Sequence, residues 1–253
     1  MEGEQVDHLQ REAHVQRLHK WGAHQFAGRL SASQYFAAYD LVQRFVRTDA
    51  RALDWGTGEG HFSAFLLSQG MQTTGLTLDA ECLLSQHLQD AYGERYTLVR
   101  DASAVRTLPF SDGHFDLVTS IGVLEHVRET GGDEAASLRE IVRVLRPGGI
   151  FLCYHFPNRY SWIEAITRNL SNKHNHPYKY SRKDLLGLLH DAGLEVLETR
   201  RYGFLPRLLT MRLPSALRDS RRFSAFYEAS DRFLSTALSL ICQNHYAVAR
   251  KPG

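Results

Sequence analysis

The feature that most constrains the fold is a short apolar stretch, Ala50-Arg51-Ala52-Leu53-Asp54, running straight into Trp55-Gly56-Thr57-Gly58-Glu59-Gly60. The stretch reads as a strand. The glycines after it let the backbone approach a ligand with no side chain between. Helical periodicity then begins: Phe62, Phe65 and Leu66 share one face of residues 61–68, and Gly70 suits the C-terminal end. Strand, glycine turn and helix form the first unit of a doubly wound sheet, where ligands bind beyond the carboxyl ends of the strands.

The alternation continues along the chain. Residues 73–78, 96–100, 115–120, 150–155, 194–199 and 244–250 read as strands, and 82–92, 135–145 and 182–192 as helices. This predicts an α/β protein with a Rossmann-like, mostly parallel, doubly wound seven-stranded sheet. Residues 1–48 carry apolar positions at three- and four-residue steps and predict a helical cap. A second helical stretch, Pro206 to Ile241, is inserted before the last strand and holds six arginines against three acids. It predicts an amphipathic cover; contact with an acidic or acyl substrate or with a membrane surface is the sharper alternative.

Composition removes some classes of function. A net charge of +2 gives no field suited to nucleic acid. Cys82, Cys153 and Cys242 lie far apart and form no CxxC pair, which argues against a zinc knuckle or a disulfide framework. The polar N-terminus lacks an apolar signal core, and no apolar run approaches the roughly 20 residues that span a membrane. A cytoplasmic location is the expectation.

The glycine spacing is GxGxG, whereas the dinucleotide fingerprint GxGxxG would need a glycine where His61 stands. Asp54 would repel a pyrophosphate. It would favour a ligand carrying an ammonium group, or it would order the loop through backbone N–H groups. Three further segments follow: Val99-Arg100-Asp101-Ala102 leading to Leu108-Pro109-Phe110-Ser111-Asp112-Gly113-His114-Phe115-Asp116-Leu117-Val118; Val123-Leu124-Glu125-His126-Val127; and Leu145-Arg146-Pro147-Gly148-Gly149. In this order the series resembles the motifs of class I S-adenosylmethionine (SAM)-dependent methyltransferases, of the type that act on small molecules. The helix–strand ending over 185–197 resembles the family's last pair.

The resemblance implies SAM as cofactor, S-adenosylhomocysteine as product, and a small-molecule acceptor. It implies that Asp54, Gly56 and Gly58 line the amino-acid and ribose part of SAM. Asp101 would take the adenine amino group, with the Ala102 N–H nearby, although a capping or solvated role for Asp101 stands beside this. Ile121 would give a backbone contact to the methionine part. The chain departs from the family at Thr77, where an acid holding both ribose hydroxyls is expected. Cyclopropane-synthase-like members are similar in carrying threonine there, and Asp79 could reach back to compensate. On this reading residues 1–253 are a single domain, with a cap or lid over 1–48, a SAM-binding core over 49–155, and a substrate-side half over 156–253.

Methyl transfer to a hydroxyl needs alignment and a base, and histidine suits neutral pH. His155, at the end of the strand 150–155, is the first candidate. His126 is the second, with a structural or cofactor-facing role as its alternative, and Glu125 is a weaker candidate. Asn158 and Tyr160 after that strand, and Tyr178 and Tyr180 beyond, are candidate substrate contacts; they could equally pack. His174 and His176 share a face only in an extended segment, and a polar loop is favoured there over a metal site. His8, His14, His19 and His24 are spaced too widely to stack on a helix and read as surface residues, so no metal is expected. Around Trp21, Phe26, Tyr35, Phe36 and Tyr39 the cap either closes over the SAM pocket as a lid or packs on the sheet edge. O-methylation is the expected reaction. N- or C-methylation of a metabolite or lipid-like acceptor, or SAM binding without transfer, are the alternatives.

Overall fold

A computed structural model describes residues 2–78, 81–167, 176–206, 210 and 213–253, with backbone alone for 2–9. Seven strands, β1 (Arg51–Trp55), β2 (Gln72–Thr77), β3 (Tyr96–Arg100), β4 (Phe115–Ile121), β5 (Leu145–Pro157), β6 (Glu195–Tyr202) and β7 (Asn244–Arg250), form one sheet in the order β3-β2-β1-β4-β5-β7-β6. The first five are parallel, and β7 runs antiparallel to both β5 and β6. Chain direction across the sheet reverses between β1 and β4. That is the topological switch point, where a crevice opens beyond the strand ends.

Strand side chains alternate between two apolar layers. Along β5, Leu152 and Tyr154 join one core with Tyr39, Phe62 and Phe65, while Phe151 and Cys153 join the other with Leu138, Ile141 and Leu185. The first layer is covered by α1 (Glu2–Lys20), α2 (Arg29–Ala32), α3 (Phe36–Phe45) and α4 (His61–Ser68). The second is covered by α6 (Glu134–Val144) and α8 (Arg182–Asp191), while α5 (Ser85–Tyr92) sends Leu88 into the first layer. A short α7 (Trp162–Thr167) follows β5, and the late insertion supplies α9 (Ser215–Arg218) and α10 (Arg221–Ala237). Arg207 and Arg212 lie outside the described residues. Phe226 and Phe233 of α10 are exposed.

The alternation along β5 breaks at one place. Phe156 falls in the second core, where strict alternation would put it in the first. Tyr154 and His155 together oppose Tyr246, because the pairing jumps from Cys153–Ala247 to Phe156–His245. This is a β-bulge, and its extra residue re-aims a side chain at the strand end. His155 carries the strain at φ 68°, the only positive φ of a non-glycine residue among those described.

One expectation about the cap is corrected. His14 is buried, packed against Phe26, Tyr39 and Phe65, not on the surface. The spacing argument tested whether the histidines stack on one another, and burial depends instead on which face the helix turns to the sheet. His19 and His24 are exposed, as expected.

Candidate active site

A cleft of about 300 Å³ opens at the switch point, walled by Trp55, Gly56 and Gly58 after β1, Leu76, Thr77 and Leu78 at the end of β2, and Gly122 and Val123 after β4. Ala104 and Val105 close one side, and His126, Val127 and Thr130 the other. This volume lies at the lower end of small-ligand sites. The glycine loop is locked onto β2, because the N–H groups of Gly56 and Thr57 both donate to the Leu76 carbonyl at 2.9 Å. Gly56 has φ 74°, and a Cβ there would come within 2.5 Å of Val123 Cγ2. The close approach of loop and opposite wall therefore requires glycine at this position.

Asp54 lies beneath the loop. Its carboxylate accepts from Thr57 Oγ1 (2.9 Å), Ser63 Oγ (2.7 Å) and Thr119 Oγ1 (3.1 Å). Burial raises its pKa and these hydroxyls work against the rise. Of the two roles expected for Asp54, its geometry serves loop ordering, through side-chain hydroxyls together with the Ser63 backbone N–H.

Thr77 is buried and lines the cleft. Asp79 lies outside the described residues. Asp101 caps the turn Ala102–Val105, its Oδ1 accepting from the N–H (2.8 Å) and Oγ (2.6 Å) of Ser103. Ala102 is exposed, while Ala104 and Val105 form the cleft wall on that side. Ile121 packs on the first core, and the cleft wall begins one residue later at Gly122. The Leu108–Asp112 segment is held from outside: Arg143 donates to the carbonyls of Leu108 and Phe110 and to Asp112.

Gly122 is flanked by the two acid–base candidates. A Cβ there would lie 3.7 Å from Glu125 Oε1 and 3.9 Å from His155 Cβ. The His155 main-chain N–H donates to the Tyr202 hydroxyl, and that same hydroxyl lies 2.9 Å from Nδ1. Tyr35 meets the imidazole edge-on at 5.5 Å. His126 lies on the cleft wall with Nδ1 2.7 Å from Glu129. Glu125 is buried, and no donor among the described residues reaches its Oε2. Burial pushes its carboxyl up to about 8.

The four candidate substrate contacts divide into two pairs. Asn158 is fully buried, its amide donating to the carbonyls of Leu240 and Cys242 and accepting from the Tyr160 N–H. Tyr180 stacks on Phe156 and bonds Glu134. Both side chains are spent on joining strand ends to the insertion and to α6. Tyr160 and Tyr178 are exposed, with Arg128 over the Tyr178 ring.

The cap reaches the loop. His24 holds Glu59 through its main-chain N–H and through Nδ1 at 2.6 Å, and Trp21 stacks on His87 of α5. Tyr35 packs edge-on against His61, the residue following Gly60, at 4.5 Å. Val123, Ala104, Val105 and Tyr202 were not singled out by sequence reasoning. Val123 sits next to Ile121–Gly122 in a recognisable motif and could have been found; Tyr202 has no local signal, since it reaches His155 from a strand 47 positions away.

A doubly wound sheet in this strand order, with a glycine loop at its switch point, defines a Rossmann-like α/β protein. Residues 53–153 match the family model described as a methyltransferase domain. The chain is 27% identical over 197 residues to a Mycolicibacterium smegmatis protein named "probable S-adenosylmethionine-dependent methyltransferase", covering 72% of this chain and 73% of that protein. It is 29% identical over 154 residues to the ubiquinone biosynthesis O-methyltransferase of Nitrosospira multiformis, covering 58% of this chain and 63% of that one. Among solved structures, the Burkholderia thailandensis 1,6-didemethyltoxoflavin-N1-methyltransferase with bound S-adenosylhomocysteine has the same fold. Its TM-score is 0.58 at 20% identity, over 99% of this chain and 90% of that one. Residues 53–153 thus carry a methyltransferase domain, and the chain is similar to class I SAM-dependent methyltransferases, enzymes whose cofactor is SAM. No helix among the described residues is long and apolar enough to cross a membrane.

Proposed function

We propose that this methyltransferase moves a methyl group from SAM to a hydroxyl of a small-molecule acceptor, with His155 as the base. The observation that carries this reading is the bulge in β5, which sets a strained His155 at the strand end with its Cβ beside Gly122 of the cleft wall. Strain of this kind costs roughly 1–3 kcal/mol and persists where the surrounding structure over-determines it.

The cleft fits the cofactor. Gly56 and Gly58 leave room for the amino-acid and ribose part, and Thr77 offers one hydroxyl to the ribose. Leu78, Ala104 and Val105 form an apolar slot for the adenine, with Asp101 and the Ala102 N–H at its edge. The main chain at Ile121–Gly122 faces the methionine part. Bound SAM would supply an electrophilic methyl on a sulfonium for the acceptor oxygen, leaving as S-adenosylhomocysteine, and His155 would take the hydroxyl proton. When Nδ1–H donates to Tyr202, Nε2 holds the lone pair that takes this proton. The cap, latched by His24 on Glu59, excludes water, and Tyr160 and Tyr178 stand on the acceptor side.

Isothermal calorimetry with SAM, followed by assays with labelled SAM against phenols, sugar hydroxyls, amines and acyl lipids, tests the reading. Methyl transfer to hydroxyl acceptors alone is the expected result. Transfer to amines or carbon would remove the O-methylation part, and absence of SAM binding would remove the whole. Gly56→Ala is expected to weaken SAM binding at least about 30-fold. It adds a left-handed penalty of roughly 1–2 kcal/mol to a clash costing about 1–3 kcal/mol. Val123→Ala in the same chain relieves the clash and recovers part of the loss.

A further inference from the structure

We propose that Glu125, His126 and His176 form a divalent-metal site on the rim of the cleft, suited to a borderline transition ion such as Zn²⁺. One ligand atom from each of the three lies within 4.8 Å of the others. His126 Nε2 is 3.9 Å from Glu125 Oε1, and the two imidazoles face each other at 5.5 Å. The residues come from separate places. Glu125 and His126 sit on the turn Leu124–Thr130 after β4, and His176 lies in the segment leading to α8. The fold alone brings His176, 50 positions further along the chain, to this pair.

Three independent features point to a cation. Glu125 is 3% exposed, and its Oε2 has no hydrogen-bond partner among the described residues. A carboxylate in such surroundings is costly unless paired with a charge, and an ion held between it and the histidines supplies one. Both histidines are oriented from behind by carboxylates: His126 Nδ1 lies 2.7 Å from Glu129, and His176 Nδ1 lies 2.8 Å from Glu164, which Lys179 also pairs. A ring that donates Nδ1–H to a carboxylate carries its lone pair on Nε2, and this is the arrangement found behind most metal-bound histidines. Finally, the donor set is two imidazoles and one carboxylate. That set suits zinc and related ions and leaves a coordination position open. With metal–ligand bonds of about 2.0–2.2 Å, the three groups need to draw together by roughly 1 Å.

His126 also lines the cofactor cleft, so an ion held by these residues would lie beside it. There the ion would bind the acceptor's oxygen and lower the pKa of its hydroxyl, easing the proton's departure. This role rests on the O-methylation reading; the site itself does not. His126 then serves as a ligand, and proton removal stays with His155.

The test uses tag-free full-length protein stripped with chelator and titrated with Zn²⁺ by calorimetry and with Co²⁺ by visible absorption. One ion per chain is expected, with the intense d–d bands of a low-coordinate Co²⁺ site. His176→Ala and Glu125→Gln should each weaken binding at least about 100-fold, and Glu129→Gln about 10–100-fold. His176 is part-buried, and unchanged circular dichroism and thermal midpoint in His176→Ala would exclude unfolding as the cause. SAM affinity, measured in parallel, separates the two readings. Metal binding without SAM binding keeps this site and removes the methyl-transfer reading; the reverse does the opposite. Substoichiometric binding, or wild-type metal affinity in His176→Ala, overturns the site and leaves a network of hydrogen-bonded histidines.

Discussion

His155→Asn is expected to lower turnover about 10²–10⁴-fold while leaving SAM affinity within about twofold. The rate range is what a positioned base typically contributes. Asparagine is the informative replacement because His155 stands at φ 68°, and asparagine is one of the few residues that tolerates this region. The bulge therefore survives, and only the imidazole is lost. Tyr202→Phe removes the hydroxyl that accepts the His155 N–H and contacts Nδ1, so it should produce a smaller loss of kcat. The wild-type pH–rate profile should have an acidic limb that His155→Asn lacks. Unchanged turnover in His155→Asn would remove the base assignment. A matching fall in SAM affinity would show instead that the strand end had been disturbed.

The second large effect concerns acid. Three buried histidines, His14, His61 and His245, have their pKa values lowered, to about 3, about 4 and about 4, chiefly because burial opposes charging. Arg17 and His61 add repulsion at His14. Neither ring nitrogen of His61 has a hydrogen-bond partner among the described residues. In the unfolded chain each histidine titrates near 6.5. Between pH 6.5 and about 4 the unfolded state therefore binds protons that the folded state refuses, and stability falls as pH falls through this window. Glu125 works the other way, since its raised carboxyl binds a proton in the folded chain first. Three protons against one set a net slope of at most about 3 kcal/mol per pH unit, which the raised carboxyls of Asp54 and Glu228 lessen as they take up protons in the folded chain. Two pH units would remove at most on the order of 5 kcal/mol, a large share of an ordinary domain's stability. Urea unfolding at pH 7.5, 6.5, 5.5 and 4.5, with chelator present, measures it. His61→Leu should flatten the slope by about one proton, or roughly 1.4 kcal/mol per unit. A flat profile between pH 6.5 and 4.5 in the wild type would show that these rings are hydrated.

Much of the fold was legible because its signals are local. β3, α4 and β7 fall where periodicity put them, since a period of two or 3.6 needs only neighbours to be seen. Thr77 could be placed in the cleft from the family resemblance and a count along the second strand. Side-chain direction at strand ends was less legible. Asn158 looked like a substrate contact, because an amide after β5 is polar and well placed; its partners are carbonyls of Leu240 and Cys242, over 80 positions away. His155 was recognised as a candidate, but the bulge that aims it depends on how β5 pairs with β7.

By itself, the sequence determined the alternating α/β sheet, the glycine loop at its switch point and the resemblance to SAM-dependent methyltransferases. These rest on residue type, order and spacing, which the chain carries whatever its tertiary contacts. Only the tertiary structure decided what the charged and ring side chains do. It turned Asp54 under the loop toward Thr57, Ser63 and Thr119, and buried His14 among aromatic rings. It also brought His176 beside Glu125 and His126. The physical reason is that a polar group's role is set by whichever partner satisfies it once water is excluded, and in each case a deciding partner lies elsewhere in the chain.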